Sequence, residues 1–214
     1  MAVYEDEIRK QVESQKDMPE KMDIPMLRYF WQASPLASSR QENIPKFLKN
    51  IDVLKNFSDN ELRILTKFLH TRSFDDHESI FKQGSIGVGF YLVLAGSVDI
   101  IVERNHLEPS SKQVEKGTTL VLSLEKHDYF GELALLQERS IRNATARSKE
   151  GCQVLGIFKP DVEQMINEYP VVGAKLLQAI SMIVANRLFS VTREARILKQ
   201  IIKTLKSENE QLKK

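Results

Sequence analysis

The chain has 214 residues, with 31 lysines and arginines against 29 aspartates and glutamates, so its net charge is near +2 at pH 7. This length suits one globular domain with helical extensions, and the balanced charge gives no reason to expect tight nucleic-acid binding. Four histidines and one cysteine exclude a zinc-finger array and a disulfide framework. No apolar run approaches the roughly twenty residues that cross a bilayer, and the acidic N-terminus lacks a signal-peptide core. We therefore expect a cytoplasmic protein without a membrane span.

Residues 1–45 predict a helical leader that is poorly compact. Its main apolar feature is the run Met26-Leu27-Arg28-Tyr29-Phe30-Trp31, and Ser34-Pro35 ends that run. The run could pack on the chain's own domain, or it could contact a partner or a membrane surface. The sequence does not separate these alternatives. Residues 38–41 have the composition of a linker.

A helix is predicted to begin near Ser58, because Ser58 and Glu61 have the spacing of a capping box ahead of a helical apolar stripe. After Thr71 the pattern changes to short apolar runs separated by Gly, Asp and Ser, which is typical of strands. The runs are Ile80-Phe81, Phe90 to Leu94, Val98 to Val102, Leu120 to Leu124 and Cys152 to Phe158. Many short strands at this spacing indicate a jelly-roll-like β-barrel, and the polar residues 104–117 predict an exposed hairpin loop.

The segment from Phe130 to Ala146 carries the strongest functional signal. Gly131 permits a sharp turn, and Glu132 opens a short apolar helix whose first N–H groups lack helical partners and attract an anion. Arg142 follows just before a strand-like run, and its planar guanidinium matches two phosphate oxygens at once. One carboxylate, one guanidinium and one helix start together suit a sugar phosphate. Singly, each could be an ordinary surface charge.

The motif Phe130-Gly131-Glu132-Leu133-Ala134-Leu135, followed by Arg142-Asn143-Ala144-Thr145-Ala146, resembles the phosphate-binding cassette of the cyclic nucleotide-binding domain. This family includes the catabolite activator protein and the protein kinase A regulatory subunits. The resemblance covers about residues 46–170 and extends upstream to Gly84 and to the run from Tyr91 to Val98. Ile141 stands where the family pattern has Pro, and Asn143 stands where it has Ala or Ser.

The resemblance implies an α+β fold, with a jelly-roll-like barrel, flanking helices and a long C-terminal helix. It implies that Arg142 pairs with the cyclic phosphate and that Glu132 accepts from the ribose 2′-hydroxyl. The residues that would complete the site are Gly131, Leu133, Ala134, Asn143 and Ala144 around the phosphate, with Val121 and Leu122 packing on the base. The implied ligand is cAMP, with cGMP as the alternative, and no other cofactor and no enzymatic activity are expected.

Pro160 predicts the start of a helix, and Tyr169-Pro170 interrupts it before a long final helix. A seam of residues in that helix, all apolar except Asn209, alternates in steps of four and three: Val184, Leu188, Val191, Ala195, Leu198, Ile202, Leu205, Asn209 and Leu212. This seam spans about 42 Å and is typical of a parallel two-stranded coiled coil, with Asn209 at a position that favours that register. A single amphipathic helix lying on its own domain is the alternative.

These predictions divide the chain into a leader at 1–45, a nucleotide-binding domain at 46–170 and a dimerisation helix at 171–214. By resemblance to the catabolite activator protein, whose helix carries similar Arg-Leu and Val-Thr pairs, Thr192 is a candidate base contact. The favoured function is a cyclic-nucleotide sensor that signals through a homodimeric helix to an unknown effector protein. Two alternatives stay open, a nucleotide-free dimerisation module and a truncated transcription regulator. No helix-turn-helix follows the seam, so we expect no direct DNA binding.

Overall fold

The computed structural model describes Lys10, residues 44–103 and residues 118–212. The predicted leader contacts at Met26–Trp31, the linker at 38–41 and the predicted loop at 104–117 lie outside the described residues. The helices are α1 (Ile44–Lys49), α2 (Asp59–Thr66), α3 (Leu133–Leu136), α4 (Lys159–Glu168) and α5 (Pro170–Leu212), with a 3-10 turn at Asp52–Leu54. The strands are β1 (His70–Phe74), β2 (Ser79–Phe81), β3 (Ile86–Gly87), β4 (Gly89–Glu103), β5 (Thr118–Leu124), β6 (Tyr129–Phe130), β7 (Ser140–Ile141) and β8 (Thr145–Phe158).

Two long antiparallel strands, β4 and β8, organise the fold. They pair with each other, and their outer edges pair with β5 and β1 in the order β1-β8-β4-β5, while β2 joins β8 and β6 joins β4. A separate two-stranded ribbon joins β3 to β7. Among the described residues these ladders do not close into a continuous barrel. The architecture is the predicted α+β arrangement, with antiparallel sheets, flanking helices and a long C-terminal helix.

The predicted runs Phe90 to Leu94 and Val98 to Val102 form one strand, β4, rather than two. The ladder with β8 shifts register on either side of Ala95 and Gly96, and Gly96 has a positive φ of 75°. A glycine in this conformation accommodates a bulge and bends the strand without ending it. Because of this bend, β4 continues from the segment that pairs with β6 to the segment that pairs with β5.

Side-chain alternation along β4 and β8 divides the core into two layers. Phe90, Leu92, Leu155 and Ile157 face the helices, where they pack with residues of α1, α2, α4 and α5. Tyr91, Val93, Val154 and Phe158 face the opposite side and fill the interior of the sheet assembly. The site residues described below lie at the edge of this interior layer.

The predicted capping box starts α2, with the Ser58 N–H donating to Glu61 at 2.7 Å and the Glu61 N–H donating to the Ser58 hydroxyl at 3.3 Å. The predicted break is also present, because α4 ends at Glu168 and α5 begins at Pro170. Side chains of α5 are buried as far as Ile183, Val184 is half-buried, and the side chains of residues 185–211 are exposed.

The composition of α5 bears on the expectation that the chain has no membrane span. An 18-residue window within Pro170–Gln211 has a mean hydropathy of 1.3, so this helix is long and apolar enough to cross a membrane by those two criteria alone. A third of that window is buried inside the domain, and core helices of soluble proteins meet the same two criteria. The composition of α5 is therefore only a weak indication of a membrane span.

Candidate nucleotide-binding site

The Phe130-Gly131-Glu132 turn joins β6 to α3 and places the two candidate groups of the site. Phe130 pairs with Tyr91 of β4, and Gly131 then takes a positive φ of 80°, which redirects the chain by a conformation that disfavours residues with a Cβ. Glu132 is the N-cap residue of the four-residue helix α3. This is the predicted glycine turn and helix start.

Arg142 is buried, with 5% of its surface exposed. Its Nη1 donates to the carbonyl oxygen of Gly131 at 3.1 Å, and its Nη2 donates to that of Gly89 at 2.9 Å. The guanidinium carbon lies 3.9 Å from the centroid of the Phe81 ring, within the range of a cation–π contact. Two carbonyls and one aromatic face therefore fix the plane of the guanidinium at the Gly131 turn.

Glycine residues make room for this guanidinium. A Cβ at Gly131 would lie 2.6 Å from Arg142 Nη1, and a Cβ at Gly87 would lie 3.0 Å from Arg142 Nε. Any larger residue at Gly131 would have to displace the guanidinium as well as adopt a strained backbone. Gly131 is therefore needed both for the turn and for the position of the Arg142 guanidinium.

The main chain of Arg142 is also held on both sides. Its N–H donates to the Ser85 carbonyl at 2.9 Å, and its carbonyl accepts from the Gly84 N–H at 2.9 Å. These bonds extend the β3–β7 ribbon by one residue and hold the backbone of Arg142 against the β2–β3 connection. The predicted upstream glycine, Gly84, therefore contacts the cassette directly.

Glu132 is buried, with 3% of its surface exposed, and its partner lies on α5. Arg187 Nη1 donates to Glu132 Oε2 at 2.7 Å, while Arg187 Nη2 donates to the Tyr129 carbonyl at 3.0 Å. The Arg187 side chain is about half exposed. Burial raises the pKa of the Tyr129 phenol, and the nearby Arg187 cation partly offsets that rise.

Arg187 is a residue of this site that the sequence reasoning did not assign. It contacts Glu132 across 55 positions of sequence, so no local spacing could reveal the pair. The available signal was the Arg187-Leu188 pair, one of the two pairs on which the resemblance of this helix to that of the catabolite activator protein rests. The contact makes Glu132 the point at which the cassette and the final helix meet.

The other predicted residues take varied positions. Leu133 and Ala144 are half-buried, Ala134 is buried and Asn143 is exposed. The Ala134 N–H, predicted to face a phosphate, donates to the Gly131 carbonyl at 3.2 Å. Val121 and Leu122 of β5 are exposed over 55% and 45% of their surfaces. Val121 lies at a register shift of the β4–β5 ladder, where Ile100 pairs with Leu122 and Ile101 with Leu120. The predicted contact of Val121 and Leu122 with a base stays a prediction.

Thr192 is exposed on α5, five residues beyond Arg187 and about 7.5 Å further along the helix axis. The structure brings Glu132, Gly131 and Arg142 together at the turn. Thr192 belongs instead to the part of α5 that projects away from the domain, so its predicted base contact stays a prediction.

Comparison with known proteins agrees with this geometry. Residues 71–169 match the family model of the cyclic nucleotide-binding domain. These residues belong to that family. The matched range contains the glycine turn, Glu132 and Arg142, and it ends at the junction between α4 and α5.

Among curated proteins, the chain is 28% identical over 119 residues to a cAMP-dependent protein kinase regulatory subunit of Schizosaccharomyces pombe, covering 56% of this chain and 26% of that protein. The chain thus spans about a quarter of the length of this relative. The solved regulatory domain of Toxoplasma gondii protein kinase A with cAMP is 26% identical, with a TM-score of 0.54, and 69% of this chain and 52% of that one are covered.

A cyclic nucleotide-binding domain from Methylobacillus flagellatus superposes with a TM-score of 0.59 at 18% identity, covering 72% of this chain and 81% of that domain. At that identity the likeness concerns the fold alone. The comparisons together establish a cyclic nucleotide-binding domain similar to those of protein kinase A regulatory subunits.

Proposed function

We propose that this protein is a sensor of cyclic nucleotides, with cAMP as the favoured ligand, and that it has a regulatory rather than an enzymatic role. The observation that carries the proposal is the pair of buried ionisable side chains, Glu132 and Arg142, on either side of the Gly131 turn. Burying charged groups is costly unless partners satisfy them, so a chain without use for this pair would gain by losing it. The match to the cyclic nucleotide-binding family and the similarity to regulatory subunits support the same hypothesis, a sensor of cyclic nucleotides.

In this proposal Arg142 pairs with the cyclic phosphate and Glu132 accepts from the ribose 2′-hydroxyl. A carboxylate offers two oxygens and about four lone-pair directions. Arg187 occupies Oε2 of Glu132, so a bound ribose would either share the carboxylate with Arg187 or displace it. In both cases ligand occupancy changes the bond that ties α5 to the cassette.

This arrangement supports a mechanism for signalling. A ligand shifts a conformational equilibrium only by its differential affinity for the two states. The bond between Arg187 and Glu132 supplies such a difference, since it exists only when α5 lies against the cassette. The break between α4 and α5 at Tyr169-Pro170 is the hinge about which α5 would move.

A calorimetric titration with cAMP and cGMP tests the proposal. The protein should first be unfolded and refolded to remove any nucleotide carried through purification. We expect saturable binding that Glu132→Gln weakens by about tenfold, because the charged acceptor of a hydrogen bond is lost. Glu150→Gln is the matched control, since Glu150 is an exposed glutamate on β8, outside the cassette. Absence of binding to either nucleotide would leave a nucleotide-free module.

We also propose that α5 pairs with α5 of a second copy. The seam residues Leu188, Val191, Leu198, Ile202 and Leu205 are between 52% and 65% exposed in the single chain. Exposed apolar residues at heptad spacing are typical of a helix whose partner is another helix. The paired helices would present the signal to an effector protein in the cytoplasm.

Sedimentation equilibrium tests the pairing. We expect a dimer that Leu198→Glu dissociates, because the change places a charge at the centre of the seam. Ser207→Glu, on the side of the helix away from the seam, is the control and should stay dimeric. A monomeric wild-type chain at about 100 μM, well above the Kd of a stable coiled coil, would refute the pairing.

A further inference from the structure

The loop between α3 and β7 is bonded to the first residue of α4. Lys159 Nζ donates to the Gln137 carbonyl and, at 2.8 Å, to the Glu138 carbonyl. The Lys159 N–H donates to the Val88 carbonyl at 3.4 Å, which fixes its main chain beside the β3–β4 junction. One side chain thus joins the cassette loop to the helix that leads into the α4–α5 break.

Lys159 is half-buried. Burial lowers the pKa of its ammonium, and the nearby Glu138 and Glu163 carboxylates oppose that shift. An exposed lysine normally stays fully hydrated, whereas Lys159 has exchanged part of its water for two carbonyl oxygens. Hydrogen bonds from a charged donor are stronger than neutral ones, so the contact holds the loop more firmly than a neutral side chain would.

The loop has little else to hold its side chains in place. Residues 136–139 are exposed, and Ile141 exposes 61% of its surface. Ser140, at the start of β7, is the buried side chain of this stretch, so burial of the side chains at 136–139 contributes little to the position of the loop. The sequence also lacks a proline at 141, where the ring would have restricted the backbone.

We infer that Lys159 is a positioning residue of the nucleotide site, which fixes the loop ahead of β7 and thereby the place of Arg142. The inference rests on the proposed function for its effect on affinity. Its effect on the loop itself stands independently, because the bonds to Gln137 and Glu138 exist without a ligand.

Hydrogen exchange of the amides at 137–142, without nucleotide, tests the contact directly. We expect Lys159→Met to speed exchange in this segment by about tenfold, because that is the effect of losing roughly one charge-assisted hydrogen bond. Lys159→Arg should retain slow exchange, because its guanidinium can also donate to two carbonyls. Lys149→Met, an exposed lysine on β8, is the control. Lys159→Gln provides a polar second variant should the methionine variant fail to fold.

A compensating change makes the test sharper. Ile141 pairs with Ile86, and the neighbouring ladder bond is made by the Arg142 N–H to Ser85. This pattern puts Ile141 in a non-hydrogen-bonded pair, where a proline removes no ladder bond. Ile141→Pro in the Lys159→Met background should therefore restore slow exchange at the amides that remain, 137–140 and 142, since proline has no N–H. It should also restore the cAMP affinity, which Lys159→Met alone lowers about fivefold to tenfold.

The two hypotheses fail separately. Unchanged exchange in Lys159→Met and Lys159→Gln overturns the positioning role, whatever the affinity. Normal cAMP affinity in Lys159→Met, with the wild-type chain binding cAMP, also overturns it. If the wild-type chain binds no cyclic nucleotide, the proposed function fails, and the exchange data alone decide whether Lys159 fixes the loop.

Discussion

Replacement of Arg142 is the most informative perturbation of this site, because its side chain is both structural and ligand-facing in our proposal. Arg142→Ala removes two hydrogen bonds from a charged donor, each worth about 1.5–3 kcal/mol. It also removes a cation–π contact with Phe81, worth about 0.5–2 kcal/mol. Relief from burying a charge offsets several kcal/mol of this loss. We expect the free energy of unfolding to fall by about 2–3 kcal/mol.

Ligand affinity should fall further than stability alone predicts. If Arg142 pairs with the cyclic phosphate, Arg142→Ala raises the Kd for cAMP at least about a hundredfold, or near 3 kcal/mol. Arg142→Lys keeps the charge but cannot reach both carbonyls, so it should cost about 1–2 kcal/mol of stability. Arg139→Ala, an exposed arginine on the same loop, is the control.

Urea unfolding followed by circular dichroism measures the stability change, and isothermal titration calorimetry measures the affinity. Wild-type stability in Arg142→Ala would refute the role of the guanidinium in fixing the Gly131 turn. Wild-type cAMP affinity in the same variant would remove Arg142 from the nucleotide site. An equal loss of cAMP affinity in Arg139→Ala would show that removing any positive charge near the site weakens binding.

Three further outcomes follow from the described contacts. Gly131→Ala should lower the free energy of unfolding by about 1–3 kcal/mol, because the alanine would have a positive φ and its Cβ would clash with Arg142. An unchanged urea midpoint would contradict this prediction. Lys175 and the Ser58 cap hold the pKa of Glu61 below its usual value of 4.5, so the native chain binds fewer protons there than the unfolded chain. This contribution is present above pH 4.5 and is lost as the pH falls through the lowered value, so urea unfolding of Glu61→Gln should show a weaker loss of stability on acidification. Burial raises the pKa of the Cys152 thiol, so the native protein should react with a thiol reagent at pH 8 far more slowly than the urea-unfolded chain, and equal rates would show an accessible thiolate.

Local signals in the sequence predicted much of this fold. The capping box at Ser58, the helix start at Pro160 and the break at Tyr169-Pro170 each depend on residues within a few positions of one another. The Gly131 turn is of the same kind, because one residue type satisfies a conformation that others resist. Such features can be predicted because the residues that interact lie close together in the sequence.

Contacts that join distant segments could not be predicted in this way. The continuity of β4 depends on a bulge at Gly96, where a glycine that looked like a strand end permits a bend. The bond between Arg187 and Glu132 depends on how α5 lies against the cassette. The bond from the Ala134 N–H to the Gly131 carbonyl is short in sequence, but it depends on the backbone geometry of the turn, which residue types do not specify.

The length of α5 has a mechanical consequence. From Ile183, its last buried side chain, to Leu212 the helix extends about 44 Å beyond the domain. It therefore acts as a lever arm: measured from the α4–α5 break the helix is about 63 Å long, so a rotation of roughly 10° about that break would sweep its far end through about 11 Å. Rearrangement of a single ion pair at its base is thereby amplified into a displacement larger than a side chain, at a distance where another molecule can detect it.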